Sequence, residues 1–445
     1  MTEPTIYALA SGRPAAAIAV IRISGRGTAA VLRALNCGAA LDSPRHLVRS
    51  DMATPSGELL DDGMAVWFPG PASYTGEDAA ELHVHGGRAT IEAVLATLGQ
   101  IDGLRMAEPG EFSRRAFDNG KLDLARVEGL ADLISAETEA QRRQALRQLS
   151  GVLGRACEDW RARLIGALAH MEASIDFSDE DLPDTLDDGA RAGIAAVRDE
   201  IAATLDDSRA GERLRDGLVV AIVGAPNAGK SSLLNALARR DAAIVTDIAG
   251  TTRDLIEVAV AVGGYPLTLI DTAGLRDSDD PVEQEGIRRA RAAAAEADIR
   301  LVVIDGASWP AVDPETAKAL GTDGALGVVS KADLAGLTEV PTHDGEALLA
   351  VSVVRGDGLS GLETRLAQLA AARLGGSEAA LITRARHRQA LAEAREALER
   401  ALDGRGAELW AEDLRYALSA MGRIVGRVDV DDVLDIIFRD FCIGK

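Results

Sequence analysis

Three cysteines, Cys37, Cys157 and Cys442, stand far apart in a chain of 445 residues, with no C-x-x-C pair and no metal-ligand spacing. That scarcity excludes a disulfide framework and a thiolate metal site, and it fits a protein kept reduced in the cytosol. Long apolar runs are missing as well. No stretch approaches the roughly 18 to 20 uninterrupted apolar residues of a membrane span. The start, Met1-Thr-Glu-Pro-Thr-Ile-Tyr-Ala8, has no basic stretch followed by an apolar run, so it does not read as a signal peptide. The expectation is a soluble, cytoplasmic chain. Positive charge is also short: 48 Lys and Arg against 70 Asp and Glu leave a net charge of -22. Such a field repels polyanions, so an RNA substrate needs local basic patches or a partner. There is no periodic repeat and no low-complexity tract.

What is present suits folded domains. Hydrophobic residues make up 47% and charged residues 27% of the chain, an ordinary globular balance. A single core stops growing at about 250 to 300 residues, so two to four domains are expected. Up to about Phe117, short apolar runs (Ala17 to Ile23, Met64 to Phe68) alternate with Gly/Pro turns and one helical pattern, Thr90 to Leu98, which predicts a mixed α/β domain over 1–118. From Leu122 the apolar residues Leu122, Val127, Leu130, Leu133, Ile134, Leu146, Leu149, Val152 and Leu153 recur at helical spacing, and 119–213 reads as helical. Over 214–374 the runs Leu218 to Val223, Leu267 to Ile270, Leu301 to Ile304, Gly327 to Val329 and Leu348 to Val351 are separated by helical patterns, the mark of βαβ units on a parallel sheet. Helices return over 375–445, including Ala390 to Leu402 and Ala411 to Met421. The pattern predicts an α/β multidomain chain in which a helical domain is interrupted by an inserted nucleotide-binding domain.

The chemistry concentrates in the insertion. Gly224-Ala-Pro-Asn227-Ala228-Gly229-Lys230-Ser231-Ser232 follows a strand and opens a helix, the context a phosphate-binding loop requires. Its amides cradle phosphates, Lys230 neutralises the β and γ groups as a catalytic cation, and Ser231 is placed to ligate Mg2+. Downstream, Thr246-Asp247-Ile248-Ala249-Gly250-Thr251-Thr252 offers a switch threonine, Thr252, to the same Mg2+. Asp271-Thr272-Ala273-Gly274 ends a strand with a carboxylate for the metal and a glycine amide for the γ-phosphate. Guanine reading falls to Ser330-Lys331-Ala332-Asp333, where Asn is usual at the first position, and to Ser352-Val353-Val354. Asp333 suits the guanine N–H groups and Lys331 suits the base face. The serine at 330 is expected to cost the amide that braces the pocket. These motifs together predict a Ras-like P-loop GTPase domain acting on GTP.

The resemblance then widens. Thr246 to Asp254, Asp271-Thr-Ala-Gly-Leu-Arg276, the tail Phe441-Cys-Ile-Gly-Lys445, Ser73-Tyr-Thr-Gly-Glu-Asp78 and Gly110-Glu-Phe-Ser113 together resemble the MnmE (TrmE) family of tRNA-modification GTPases, over essentially the whole chain. The resemblance implies an N-terminal folate-binding domain that forms a homodimer and a flavoprotein partner, MnmG (GidA). It also implies addition of an aminomethyl or carboxymethylaminomethyl group at carbon 5 of the wobble uridine of certain tRNAs. The reduced folate, 5-formyl- or 5,10-methylene-tetrahydrofolate, is implied at Arg22, Glu81, Lys121 and Lys445. A K+ ion is implied at Asn227, Thr246, Ile248 and Thr251. The water-orienting catalytic residue falls on Glu283, since Leu275 holds the place of the usual glutamine and has no hydrogen-bonding group.

Blander readings stand beside these. Glu283 sits in an acidic loop, with Asp277, Asp279 and Asp280, that could simply cap a following helix. Arg22 could be a solvated strand charge. His83 and His85 alternate onto one strand face and read as a structural pair rather than a metal site. Cys442 reads equally as a reactive thiol and as a small buried hydrophobe. Two further functions share the central motifs: a ribosome-assembly GTPase switch of the Era or Der type, and a folate-dependent one-carbon transferase with a vestigial GTPase domain. The acidic charge and the tail argue against the first, and intact Lys230, Ser231 and Asp271 against the second.

Overall fold

The computed structural model describes residues 4–12, 15–176, 184–206, 209–240, 257–271, 296–322, 324–337, 339–376, 379–403, 407–428, 437, 441 and 444. The chain divides into two compact units, one made of Met1–Ala131, Leu149–Leu168 and Ala411–Lys445, the other of Asp132–Gln148 and Ala169–Trp410. Among the described residues no helix is long and apolar enough to cross a membrane.

The first unit begins with strands β1 (Thr5–Leu9) and β2 (Ile18–Ser24), helix α1 (Thr28–Ala34), and strands β3 (Val48–Ala53), β4 (Leu59–Phe68) and β5 (Ala79–His85). Helix α2 (Arg88–Gly99), strand β6 (Leu104–Met106) and helix α3 (Glu111–Asp118) follow. The strands form one sheet in the order β3-β4-β5-β2-β1-β6, antiparallel except where β1 runs parallel to β6. Period-two alternation gives the sheet two different faces. Ile21, Ile23, Leu82 and Val84 pack with Leu32, Ile91, Val94 and Leu98 in the main core of the unit, which draws on α1 and α2. Ile6 and Ala8 turn the other way and pack with Phe112 of α3. Arg22 and Glu81, opposite each other in the β2–β5 register, belong to that second face.

From Leu124 the chain is helical: α4 (Leu124–Ser135), α5 (Glu139–Leu149), α6 (Val152–Asp176), α7 (Asp184–Leu205) and α8 (Ala210–Asp216). The leucine stripe does not map cleanly onto this segment. Ile134 and Leu146 are each 41% exposed, and the buried face of α5 is instead Ala140, Gln144, Ala145 and Gln148. Two glutamines are buried there because their amide groups have backbone carbonyls to meet.

Within the second unit, β7 (Leu218–Val223) leads into α9 (Lys230–Arg240). Then come β8 (Glu257–Val262), β9 (Tyr265–Asp271), β10 (Ile299–Asp305), α10 (Pro314–Leu320) and β11 (Ala325–Ser330). The short strands β12 (Thr342–His343), β13 (Glu346–Ala347) and β14 (Leu349–Ala350) precede α11 (Leu359–Leu374). The sheet order is β14-β11-β10-β7-β9-β8, parallel apart from the β8–β9 hairpin. Leu218, Val220, Ile222, Leu269, Leu301, Val303 and Val328 pack with α9 and α11 in the core. Helices on the sheet explain why these strands read as continuous apolar runs. The connections reverse direction between β7 and β10, and ligands of such sheets bind at the carboxyl ends of strands flanking that point. Helices α12 (Ala385–Leu402) and α13 (Ala407–Val425) complete the chain's described elements.

Candidate functional site

The loop after β7 sits at that switch point. Gly224 has φ of +150° and a Cβ there would lie 2.2 Å from the Val303 carbonyl oxygen of β10, so only glycine lets the loop pass. Lys230, at the start of α9, is buried and its Nζ donates to the carbonyls of Gly224 at 2.7 Å and Ala225 at 2.8 Å. Burial pushes its ammonium below the ordinary lysine value, an effect partly offset by Asp271 and Asp313. The ammonium is therefore held against the loop that a phosphate would occupy. Ser231 Oγ donates to Asp271 Oδ2 at 2.5 Å, joining the first turn of α9 to the end of β9. A hydroxyl and a buried carboxylate converging on one point form the hard-oxygen donor pair that suits Mg2+.

The base-side residues gather beside the same loop. Lys331 Nζ reaches the Asn227 carbonyl and Asp305 Oδ2, both at 2.8 Å. Ser352 Oγ donates to Asp333 Oδ1 at 2.6 Å, and this bond chiefly holds the Asp333 carboxyl below the usual carboxylate range. An ionised, pre-oriented carboxylate is what a pair of guanine N–H donors requires. Ala228 is fully buried while Ser232 is exposed; Gly229 lies next to Ser330, and the Ala332 amide bonds the Val351 carbonyl. Val353 packs on the core and Val354 is 88% exposed.

Ser330 makes contacts of its own. Its buried hydroxyl lies 2.5 Å from the Ala228 carbonyl oxygen and 3.0 Å from that of Ile304, so its one proton is shared between the phosphate loop and the end of β10. Asp305 was not singled out from sequence. Its signal was available: like Asp271 it is the acidic residue that ends an apolar strand run. Burial favours its neutral form, but bonds from Lys331 and the Ala307 amide outweigh this and hold it ionised. Thr246, Asp247, Ile248, Ala249, Gly250, Thr251, Thr252, Thr272, Ala273, Gly274, Glu283, Cys442 and Lys445 lie outside the described residues.

In the first unit, Arg22 Nε and Nη2 donate to Glu81 Oε1 at 3.1 and 3.0 Å, and the guanidinium lies 5.5 Å from the Tyr74 ring centre and 5.8 Å from that of Phe112. Arg22 is thus a paired group rather than a solvated strand charge. A cavity of about 200 Å³ opens beside it, lined in part by Arg45, Phe68, Tyr74 and Glu81. A guanidinium, a carboxylate and aromatic rings around one cavity can hold a flat, hydrogen-bonding heterocycle. Lys121 stands apart from this lining, its Nζ on the Pro71 carbonyl at 3.0 Å. His85 pairs with Asp61 at 2.8 Å, and His83 lies 3.5 Å from Glu81. The two sequence motifs of this unit lock together: Glu77 takes Arg115 at 3.0 Å and Ser24 at 2.8 Å, and Tyr74 meets Ser113 at 2.8 Å. The tail closes on the same unit, with Phe441 packed on Leu124 and Val127 and Gly444 against Leu9 and Ala10.

A mostly parallel sheet with a glycine-rich loop at its switch point, a buried loop lysine and a serine–aspartate pair beside it is the architecture of a P-loop GTPase. Family models refine this. One for the MnmE helical domain matches residues 124–442, and one for the GTP-binding protein TrmE N-terminus matches residues 5–121. The tRNA modification GTPase MnmE of Rhodospirillum rubrum is 55% identical over 100% of both chains. That of Parvibaculum lavamentivorans is 54% identical over 99% of this chain and 100% of its own. The chain belongs to the MnmE family of tRNA modification GTPases. Among solved structures, the G domain of the T. maritima FeoB iron transporter is 28% identical, covering 34% of this chain and 98% of its own, with a TM-score of 0.25.

Proposed function

We propose that this chain hydrolyses GTP to drive, with a flavin-containing partner of the MnmG kind, the folate-dependent addition of a carboxymethylaminomethyl or aminomethyl group at carbon 5 of the wobble uridine of certain tRNAs. The observation that carries this is the convergence of Ser231 and Asp271 beside the buried Lys230 in a chain that matches its family relatives end to end. Mg2+ held by Ser231 and Thr252 would supply positive charge to the β and γ phosphates. Lys230 leaves its loop carbonyls to meet the phosphates. Asp333, with Lys331 over the base, selects guanine, and Glu283 orients the attacking water. A K+ ion at Asn227, Thr246, Ile248 and Thr251 would supply further positive charge to the phosphates.

The folate reading rests on the Arg22–Glu81 pair and its aromatic-lined cavity. Glu81 offers acceptors for pterin N–H groups, and Lys121 and Lys445 offer charge for the glutamate carboxylates. We place the folate-binding and dimerisation domain at 1–118, the helical domain at 119–213 and 375–445, and the GTPase domain at 214–374, in a cytoplasmic protein. Mass spectrometry of wobble uridines in cells lacking this chain tests the whole. The modified nucleoside should disappear, and unchanged nucleosides would instead favour an assembly switch of the Era or Der type.

A further inference from the structure

The GTPase sheet hangs on two connections, α8 leading into β7 and residues 375–384 leading out of α11. These touch: a Cβ on Gly211 of α8 would lie 2.1 Å from the Ile382 carbonyl oxygen. Three glutamines on α5, spaced i, i+3 and i+7 and so on one helix face, grip both. Gln141 Nε2 donates to the Arg215 carbonyl at 3.0 Å and Gln144 Nε2 to that of Gly211 at 3.0 Å, on the incoming side. Gln148 Nε2 donates to the Leu381 carbonyl at 2.9 Å, on the outgoing side. A single carboxylate oxygen then joins the two connections, since Asp132 Oδ1 accepts Arg384 Nη2 at 2.6 Å and Arg215 Nε at 3.2 Å.

What this joint adjoins gives it meaning. Arg215 stands three residues before β7, whose other end carries the phosphate loop. Asp132 and Arg215 line a cavity of about 260 Å³ together with Pro266, Leu267 and Thr268, the beginning of β9, whose other end is Asp271. The strands bearing the phosphate loop and the metal-side carboxylate therefore both start at the joint and end at the nucleotide, about 20 Å away at some 3.3 Å per residue. Strands paired residue for residue, Leu218 to Leu267 through Ile222 to Asp271, move together rather than bend.

We propose that Asp132 is a positioning residue that couples the nucleotide site to the helical segment, by holding both connections of the GTPase sheet through Arg215 and Arg384. Without its charge Arg215 and Arg384 lose the acceptor they share, the joint is left to the glutamines and to the Arg388–Glu212 pair, and the sheet turns on its connections without passing movement on. The hydrolytic groups stay on their own strands, so chemistry at GTP continues.

The proposal builds on the tRNA-modification reading, and two readouts keep them apart. Purified full-length Asp132→Asn should hydrolyse GTP within about twofold of wild type with an unchanged melting midpoint. In a strain lacking the wild-type chain, the same variant should lower wobble-uridine modification at least tenfold, and Asp132→Glu, which keeps the carboxylate, should restore most of it. Modification at the wild-type level in Asp132→Asn, or modification and hydrolysis falling in parallel, overturns the proposal. A wild-type chain that does not restore modification overturns both readings. Should Asp132→Asn not fold, Arg384→Gln, which removes only the outgoing charge, is read by the same criteria.

Discussion

At the scale of single residues, Ser330 decides how firmly the phosphate loop is tied down. Its hydroxyl serves the buried carbonyls of Ala228 and Ile304, and orphaning a buried acceptor costs about 1 to 3 kcal/mol. Ser330→Ala should therefore weaken GTP binding roughly five- to thirty-fold, corresponding to about 1 to 2 kcal/mol, in a titration with a fluorescent nucleotide. An unaltered affinity would mean that the loop keeps its shape unaided. On the proposed reading, Glu283 serves the chemistry rather than binding. Orienting a water by such a group contributes about 10² to 10⁴ in rate, so Glu283→Ala should lower turnover by that order at nearly constant affinity. A fall below about threefold, or loss of binding with it, would leave Glu283 only a helix-capping acid. Lys230, Ser231 and Asp271, which the structure brings together, were legible because phosphate chemistry permits few residue types at fixed spacings. Ser330 was legible as a position, but its partners were not, since which carbonyls a hydroxyl reaches depends on strands far apart in sequence.

Among the elements, α3 shows how a short motif acquires its role. Glu111 opens the helix and takes both Arg105 at 2.6 Å and Arg115 at 3.0 Å, while Arg115, itself buried, reaches across to Glu77. Burial works to raise the Glu111 carboxyl, but the two arginines and the Glu108 amide outweigh it and hold it below the ordinary glutamate value of 4.5. Its folded-state value is thus lower than its unfolded one, so its stabilising contribution is complete above pH about 4.5 and fades as the pH falls through the depressed value. Replacing it in Glu111→Gln should lower the melting midpoint at pH 7 and flatten the acid limb of stability against pH. An unchanged acid limb would assign that limb to other carboxylates. Five β-strands of the GTPase sheet were visible as apolar runs because both their faces are covered, whereas the edge strand β8, Glu257–Val262, was not singled out. The gripping face of α5 was not, for hydropathy counts Leu146 as core and Gln144 and Gln148 as surface. The buried amides became intelligible only once the carbonyls they serve, on Gly211 and Leu381, were in place beside them.

For the whole molecule, two ligands at separate units should each report on its own unit. Calorimetry with 5-formyl-tetrahydrofolate should give heat of binding that Arg22→Ala and Glu81→Ala each abolish or reduce at least tenfold, whatever the nucleotide present. Affinity intact in both variants would remove the Arg22 cavity from consideration. Hydrolysis, in turn, should run faster in potassium than in sodium at equal ionic strength, because a fitted cation supplies charge to the transition state, the task an arginine finger performs in other GTPases. Equal rates in the two salts would mean that Asn227 holds no such ion.

The contact between Gly211 and Ile382 carries one more consequence, for ancestry and for engineering. A polypeptide whose way in and way out lie side by side is a detachable cassette: the loop can be cut at its neck and another of different length set in its place, provided the new ends also meet within the width of a methyl group. Insertions of this geometry are tolerated because they ask the host to separate by little more than a single residue. The helices outside the neck could then be spliced directly, one short linker replacing residues 212–381, and what remained would be one continuous chain, the first sheet followed by helices, rather than two fragments.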